Sequence, residues 1–301
     1  MTHTVTRAAT VGLILATAAA LGGGCSGKKE PGEGGGAKEI DAKSTKTVPL
    51  DPFDKAWNDA IPVVVDLMPQ GVAFPMLQEV KIPKLSARAL VDKDWLGILL
   101  EWEDKTKSER LQVDEFTDGV AIELPLGDLD KTNPMMGSAE NPVYLAHWKA
   151  AWQVDVDRGR RTDVQDYHPG FWSDPYPFVA GGYPYPVQEA FESPNARRYL
   201  PGVAAGNPVS KLYREYPVEE LQAEGFSTLA DHQMQNAKAK GVHKDGKWRV
   251  VIALPRAVAD AANPKLPEKS TQKVAFAVWD GGAGNVAGRK QWYPFVTLNL
   301  P

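Results

Sequence analysis

The chain has 301 residues, of which 43% are hydrophobic and 24% are charged, and its formal net charge is −4. This is the composition of a globular protein with one large or two modest cores, and the mild acidity without a basic stripe gives no reason to expect a nucleic-acid partner. The 24 prolines, 27 glycines and nine tryptophans favour a loop-rich β protein over a helical bundle.

The first residues carry the features of an export signal. Arg7 precedes an apolar stretch at residues 8–21, and small residues then lead to Cys25, which is the pattern of a secretory signal. It resembles a bacterial lipoprotein signal, although Gly22 stands where that motif usually has leucine. We therefore predict a signal at residues 1–24, lipidation of Cys25 and a location on the periplasmic side of a bacterial membrane. Simple cleavage nearby is the alternative.

Residues 25–47 have almost no large apolar side chains and predict a flexible tether from the lipid anchor to the folded domain. No stretch other than the signal approaches the roughly 20 apolar residues that span a bilayer. With one cysteine in the chain, no disulfide is expected within the domain.

Residues 48–301 are predicted to form one domain of short strands. Residues 51–61 predict a helical turn that places Trp57 against the core, and Asp245-Gly246 predicts a hairpin tip. Bounded apolar runs predict strands at residues 63–67, 85–92, 95–104, 118–126, 143–156, 248–255, 273–281 and 292–300. This series favours an all-β antiparallel sandwich of carbohydrate-binding-module-like or immunoglobulin-like type, with a few short helices.

Residues 157–217 interrupt the series with a segment rich in proline, glycine and aromatic residues. A loop of this length inside a compact domain is uncommon and usually functional or disordered, and its aromatic content argues against disorder. We predict an ordered insertion that covers a site or contacts a partner.

The sequence lacks the signatures of the common catalytic sites. No serine-protease or Walker motif occurs, no HExxH is present, and a single cysteine excludes the CxxCH motif of covalently attached haem. The acidic residues are scattered, and the histidines beyond the signal do not have metal-site spacing. The chain is therefore predicted not to be an enzyme.

Three stretches resemble a known family. They are NPMMGSAENPVYLAHWKA (133–150), the long run from AAGNPV to VVIALP (204–255) and KVAFAVWDGGAGNVAGRKQWYPFVTLNL (273–300). In this order they resemble the ethylbenzene dehydrogenase haem-binding domain, which is the γ subunit of type II enzymes of the dimethyl sulfoxide reductase family. The resemblance extends over about residues 57–300. It implies a β-sandwich that holds one haem b and transfers single electrons, beside an iron–sulfur β subunit and a molybdopterin α subunit. A soluble cytochrome c is a further expected redox partner.

The resemblance also implies a methionine and a lysine as axial ligands of the haem iron. Met136, in the turn before Gly137, is the first candidate and Met135 the second. The alternative is that both methionines fill a gap in the core. A lysine binds iron only when neutral, which requires burial to lower its pKa.

The lysine is placed in the run QNAKAKGVHKDGKW. We choose Lys240, with Lys238, His243 and His232 as alternates, while surface lysines on an edge strand are the competing interpretation.

Other residues of the same motifs are expected around the haem. Lys149, Arg289 and Lys290 are candidates to meet its propionates, and Trp148 to form part of the pocket. Exposed turn cations and a core tryptophan are the alternatives. A second function of another class is a carbohydrate-binding surface lipoprotein that stacks sugars on tryptophan and tyrosine. A haem protein is coloured and a sugar-binding module is not, so colour distinguishes the two.

Overall fold

The computed structural model describes residues 38–168, 189 and 191–301, and these residues form two β-sheets that pack face to face. The strands are β1 (Glu39–Asp41), β2 (Lys43–Ser44), β3 (Val63–Asp66), β4 (Met68–Pro69), β5 (Lys84–Val91), β6 (Trp95–Glu103), β7 (Gly119–Pro125), β8 (Val143–Lys149), β9 (Val218–Ala223), β10 (Ala230–Asp231), β11 (Lys238–Lys244), β12 (Lys247–Pro255), β13 (Thr271–Trp279) and β14 (Gln291–Asn299). The helices are α1 (Ala150–Arg158), α2 (Val164–Tyr167), α3 (Pro194–Arg197), α4 (Pro201–Ala204) and a 3-10 helix (Lys55–Asp59).

The larger sheet has eight strands in the order β1-β14-β13-β7-β8-β9-β10, with β4 paired to β14. The smaller sheet has six strands in the order β11-β12-β6-β5-β2, with β3 paired to β5. All described pairs are antiparallel except β1 with β14 and β2 with β5. The predicted all-β sandwich with a few short helices is confirmed. No helix within the described residues is long and apolar enough to cross a membrane.

The core lies between the sheets and follows the alternation of the strands. Trp248, Val250, Ile252 and Leu254 all face it from β12, as the period-two pattern predicts. Trp248 stands 4.9 Å from Trp148, between ring centroids, in an edge-to-face contact. The chain passes very close to this pair, because a Cβ added at Gly241 would lie 2.2 Å from Cζ2 of Trp148.

Two local predictions are confirmed by the backbone. The predicted helical turn is present, and Asp54 caps it by accepting a hydrogen bond from the Ala56 N–H at 2.8 Å. Trp57 is fully buried, but it packs on the outer face of the smaller sheet and not against the core between the sheets. Asp245 and Gly246 have positive φ values of 53° and 72°, as a two-residue hairpin between β11 and β12 requires.

Three features differ from the sequence prediction. β1 and β2 pair with the sheets although they lie within the predicted tether of residues 25–47. The run 143–156 changes from strand to helix after Lys149, because Ala150 and Ala151 favour a helix that ends at Gly159 in the left-handed conformation. β9 and the two-residue strands β4 and β10 have no counterpart among the predicted runs.

The predicted insertion is described only at its two ends, where α1 ends and α2, α3 and α4 lie. Residues 169–188 lie outside the described residues, as do the signal, Cys25 and the first part of the tether, up to residue 37.

Candidate functional site

A cavity of about 510 Å³ lies on the outer face of the larger sheet, away from the core. Its floor is formed by side chains that point outward between core residues. Ala121 of β7, for example, stands between Val120 and Ile122, which face the other sheet. A smaller recess adjoins the cavity, shares Met136 and Lys290 with it, and is floored by Ala275 and Ala277 of β13. The small alanine side chains give the site its depth.

Met136 is held at the cavity wall in a conformation that non-glycine residues rarely adopt. Its φ is 72°, and Gly137 follows with a φ of 69°. A bulky residue in this region costs roughly 1–3 kcal/mol and is found mainly where function requires it. The backbone is fixed at this point, because the Met136 carbonyl accepts a hydrogen bond from the Gly225 N–H at 2.7 Å.

Lys290 reaches the same point from the opposite end of the sequence. Its Nζ lies 4.0 Å from the Sδ of Met136. Burial lowers the pKa of Lys290, while the Glu123 carboxylate opposes that shift. Burial likewise raises the pKa of Glu123, and the lysine opposes it. Both shifts are in the direction of the neutral forms, and only the neutral amine could serve as an electron-pair donor beside the thioether.

A second polar group lies further along the cavity on β8 and β9. Glu219 Oε1 is 3.2 Å from His147 Nδ1 and 2.7 Å from Lys149 Nζ. Burial raises the pKa of Glu219, but the hydrogen bond with His147 and the charge of Lys149 outweigh it and lower the pKa to about 2. Burial lowers the pKa of His147, and its ring packs against Trp279 at 4.6 Å between centroids. The cavity therefore offers an imidazole whose neutral form is favoured by burial and a cation that is already paired with an acid.

The mouth of the cavity has an apolar rim. Leu111, Phe226, Leu229 and Phe74 line it and are exposed, Phe74 to 86%. Large apolar side chains gathered around an opening mark a place where a ligand or another protein is bound.

The structure brings together only some of the residues that the sequence predicts. Met135, Met136 and Lys290 line the recess, and Met136, Lys149 and Lys290 line the cavity. Arg289 is next to Lys290, with its guanidinium 5.9 Å from the ring centre of Phe116, another cavity residue. Trp148 is instead fully buried in the core between the sheets.

Lys240 lies on the opposite side of the molecule from Met136. It is exposed on β11 and pairs with Val251, which faces outward from the smaller sheet. Lys238 has the same orientation and stacks over Trp95, 4.2 Å from its ring centre. Both sheets therefore stand between these lysines and Met136, and the structure does not bring the predicted pair together.

The two alternate histidines are also engaged elsewhere. His232 is buried with Nδ1 2.8 Å from the Met234 carbonyl, and His243 has Nε2 2.8 Å from the Asp104 carbonyl. Neither belongs to the residues that line the cavity.

Sequence reasoning missed the Met136–Lys290 contact and the role of Glu123. The alternation of side chains along β7 was the available signal. It places Glu123, the single charged residue of this apolar strand, on the same face as Ala121. A buried acid in that position indicates a polar group close by. Lys290, just before β14, is near enough for its charge to act on Glu123.

A family model and two related sequences connect this chain with one protein family. The family model described as ethylbenzene dehydrogenase matches residues 54–291. A Haloferax mediterranei protein named as a respiratory nitrate reductase haem subunit is 22% identical over 266 residues, which cover 86% of this chain and 73% of the relative. The chlorate reductase subunit gamma of Ideonella dechloratans is 23% identical over 235 residues, covering 76% and 70%.

Among solved structures, a family 9 carbohydrate-binding module from Caldicellulosiruptor kristjanssonii in complex with glucose matches with a TM-score of 0.40 and 10% identity. The match covers 88% of this chain and 96% of the module.

Proposed function

We propose that this chain, which belongs to the ethylbenzene dehydrogenase family, binds haem b and transfers single electrons as a subunit of a multi-subunit oxidoreductase. The observation that carries the proposal is the 4.0 Å contact between Met136 Sδ and Lys290 Nζ within the outer-face cavity. The two sequence relatives are named as subunits of nitrate and chlorate reductases, which supports an electron-transfer role beside a separate catalytic subunit.

The donors at this point fit a haem iron. A thioether and a neutral amine are uncharged donors of the kind that a haem iron can bind, and the contact of 4.0 Å between Met136 Sδ and Lys290 Nζ shows that these two residues could hold it together. A volume of about 510 Å³ lies in the usual range for cofactor sites, about 300–1,000 Å³. A chain with one cysteine cannot hold haem through a CxxCH motif, so the cofactor is proposed to be non-covalent haem b.

We therefore propose Met136 and Lys290 as the axial ligands. The Met136–Gly137 turn would position the sulfur, and burial, which lowers the pKa of Lys290, would favour the neutral amine that iron binding requires. When bound, the haem supplies a reversible one-electron couple, and a methionine ligand raises its potential. Lys149 is already paired with Glu219, so a haem propionate could bind Lys149 only by competing with the Glu219 carboxylate for it.

The apolar rim completes the proposed site. Phe74, Leu111, Phe226 and Leu229 would exclude water from the haem edge or contact the neighbouring electron-transfer subunit. We propose an iron–sulfur subunit next to a molybdenum-containing catalytic subunit as the partners, with a soluble cytochrome c at the other end of the path. Export to the periplasmic side with an anchor at Cys25 remains part of the proposal.

The test uses the full chain produced in a haem-sufficient host. We expect a red protein with a Soret band and a pyridine haemochrome spectrum of the b type. Colourless protein that also fails to bind added haemin would refute the function.

The ligands are tested with Met136→Leu and Lys290→Met, using Lys240→Met as the matched control. We expect the first two variants to change the visible spectrum and the reduction potential, and the control to leave both unchanged. A spectrum altered by Lys240→Met but not by Lys290→Met would refute the ligand assignment and leave haem binding in place.

A further inference from the structure

Three aspartates from separate segments meet at one end of the sandwich. Asp104 follows β6, Asp118 precedes β7 and Asp280 follows β13. One carboxylate oxygen from each lies within 4.8 Å of the other two. The contact joins both sheets, since β6 belongs to the smaller sheet and β7 and β13 to the larger.

The backbone holds these carboxylates in place. Asp118 Oδ1 accepts a hydrogen bond from the Gly281 N–H at 2.8 Å, and its Oδ2 accepts from the indole of Trp248 at 2.9 Å. Asp280 Oδ1 accepts from the Ala283 N–H at 2.9 Å. A Cβ added at Gly281 would lie 2.0 Å from the Phe116 carbonyl oxygen, so only glycine allows the two loops to approach so closely.

One carboxylate oxygen in the cluster is buried without a partner. Asp104 is 6% exposed, and its Oδ1 accepts two hydrogen bonds from Thr106. Its Oδ2 has no hydrogen-bond partner among the described residues. A buried carboxylate oxygen left unpaired is costly, and a buried charge is normally compensated by a cation or a metal ion.

The described residues supply no such cation. None of the three aspartates forms an ion pair within 4.0 Å with a described lysine, arginine or histidine side chain, although more distant charges such as Lys81 act on Asp280. Burial, with added repulsion from Asp104, raises the pKa of Asp118 to about 7. Burial also raises the pKa of Asp280. The three carboxylates are therefore close together without a described side-chain cation near enough to compensate their charge.

We propose that Asp104, Asp118 and Asp280 form a binding site for a divalent cation, and that the cation is Ca²⁺. Oxygens within 4.8 Å of one another can share an ion whose bonds are about 2.3–2.6 Å long, and an all-oxygen set suits Ca²⁺. The site is irregular because the backbone already engages several of its oxygens. Ca²⁺ accepts irregular coordination, whereas Mg²⁺ requires a near-ideal octahedron.

Two hydroxyl groups extend the set of oxygens. A Cβ added at Gly282 would lie 2.9 Å from Thr106 Oγ1, 3.2 Å from Ser108 Oγ and 3.3 Å from Asp280 Oδ1. These oxygens therefore lie around one point of the β13–β14 loop, beside Asp280, and Thr106 and Ser108 would be the neutral ligands nearest to the proposed site.

The ion connects segments that also form a wall of the outer-face cavity. Asp118 directly precedes Gly119, and Asp280 directly follows Trp279, both of which line the cavity. Binding of Ca²⁺ would fix the β6–β7 and β13–β14 loops together. The site does not depend on the haem proposal, because its ligands are separate from Met136 and Lys290.

The test uses the full chain after treatment with a chelator. Thermal unfolding is followed as CaCl₂ is added to the wild type, to Asp280→Asn and to Asp94→Asn, a control that removes an exposed aspartate away from the cluster. We expect Ca²⁺ to raise the unfolding temperature of the wild type and the control alike. For Asp280→Asn, half-saturation should require at least roughly tenfold more Ca²⁺.

Terbium(III) provides a second measurement that does not depend on how stable the variant is. Trp248 is bonded to Asp118, so we expect tryptophan-excited terbium luminescence in the wild type that added Ca²⁺ displaces. An unfolding temperature that stays the same with and without Ca²⁺, up to millimolar concentrations, would mean that the carboxyl groups share protons instead. That result, or terbium luminescence that saturates at the same terbium concentration in Asp280→Asn as in the wild type, would overturn the proposal.

Discussion

Replacing Gly137 by alanine tests whether the turn that holds Met136 is as constrained as the geometry indicates. Its φ of 69° costs an alanine about 1–2 kcal/mol. The new Cβ would also lie 2.7 Å from the Asn141 carbonyl oxygen and 3.1 Å from the Val143 nitrogen. Both neighbours are backbone atoms that cannot rotate away, so the crowding adds about 1–3 kcal/mol. We expect Gly137→Ala to lower the free energy of unfolding by about 2–5 kcal/mol in total.

Gly159→Ala is the matched control, because its φ is 68° and nothing lies within 4 Å of the added Cβ. It carries the same backbone penalty and the same change in unfolded-chain entropy, so the difference between the variants isolates the crowding. Urea unfolding of the haem-free chain measures the stability, and a haemin titration measures the site. Equal losses in the two variants, or unchanged haemin binding by Gly137→Ala, would refute the reasoning.

Two further substitutions test the site and the core. Glu219→Gln removes an acid whose pKa is lowered from 4.5 to about 2, so its stabilisation is present above pH 4.5 and is lost as the pH falls towards 2. Over that interval we expect the free energy of unfolding of the haem-free wild type to fall by about 3 kcal/mol more than that of the variant, at about 1.4 kcal/mol per pH unit. Urea unfolding at several pH values measures it, and the same pH dependence in both proteins would contradict the prediction. Gly241→Ala places a Cβ 2.2 Å from a ring carbon of Trp148, and a loss of about 1–3 kcal/mol is expected. An unchanged midpoint of thermal unfolding would show that the ring can move aside.

Much of the fold could be predicted because its strands alternate regularly. The runs that became β5, β6, β7, β12, β13 and β14 have bounded apolar patterns, and their predicted limits agree closely with the observed ones. β9 could not be recognised, because its sequence VEELQA reads as polar. Glu220 is nevertheless buried, accepting a hydrogen bond from the Tyr144 hydroxyl at 2.7 Å, and such pairing exists only after the strands meet.

The site could be predicted only in part, because it too depends on contacts that form only when distant segments of the chain meet. Met136 is marked by a local motif, whereas its neighbour Lys290 is 154 positions away. No periodicity in either segment specifies that contact, since it arises from the order of β13, β7 and β8 in the sheet. The sequence favours Lys240 because it lies at a strand start, but local sequence does not reveal which sheet that strand joins.

The position of the cavity on the exterior of the larger sheet has a consequence for assembly. The interior between the sheets is closed by its own side chains, including three tryptophans, and nothing bound outside is needed to complete it. We therefore expect the polypeptide to fold first and to receive its prosthetic group afterwards through an open side. The haem-free protein would then be a stable, folded intermediate, and maturation would consist of haem binding at its surface.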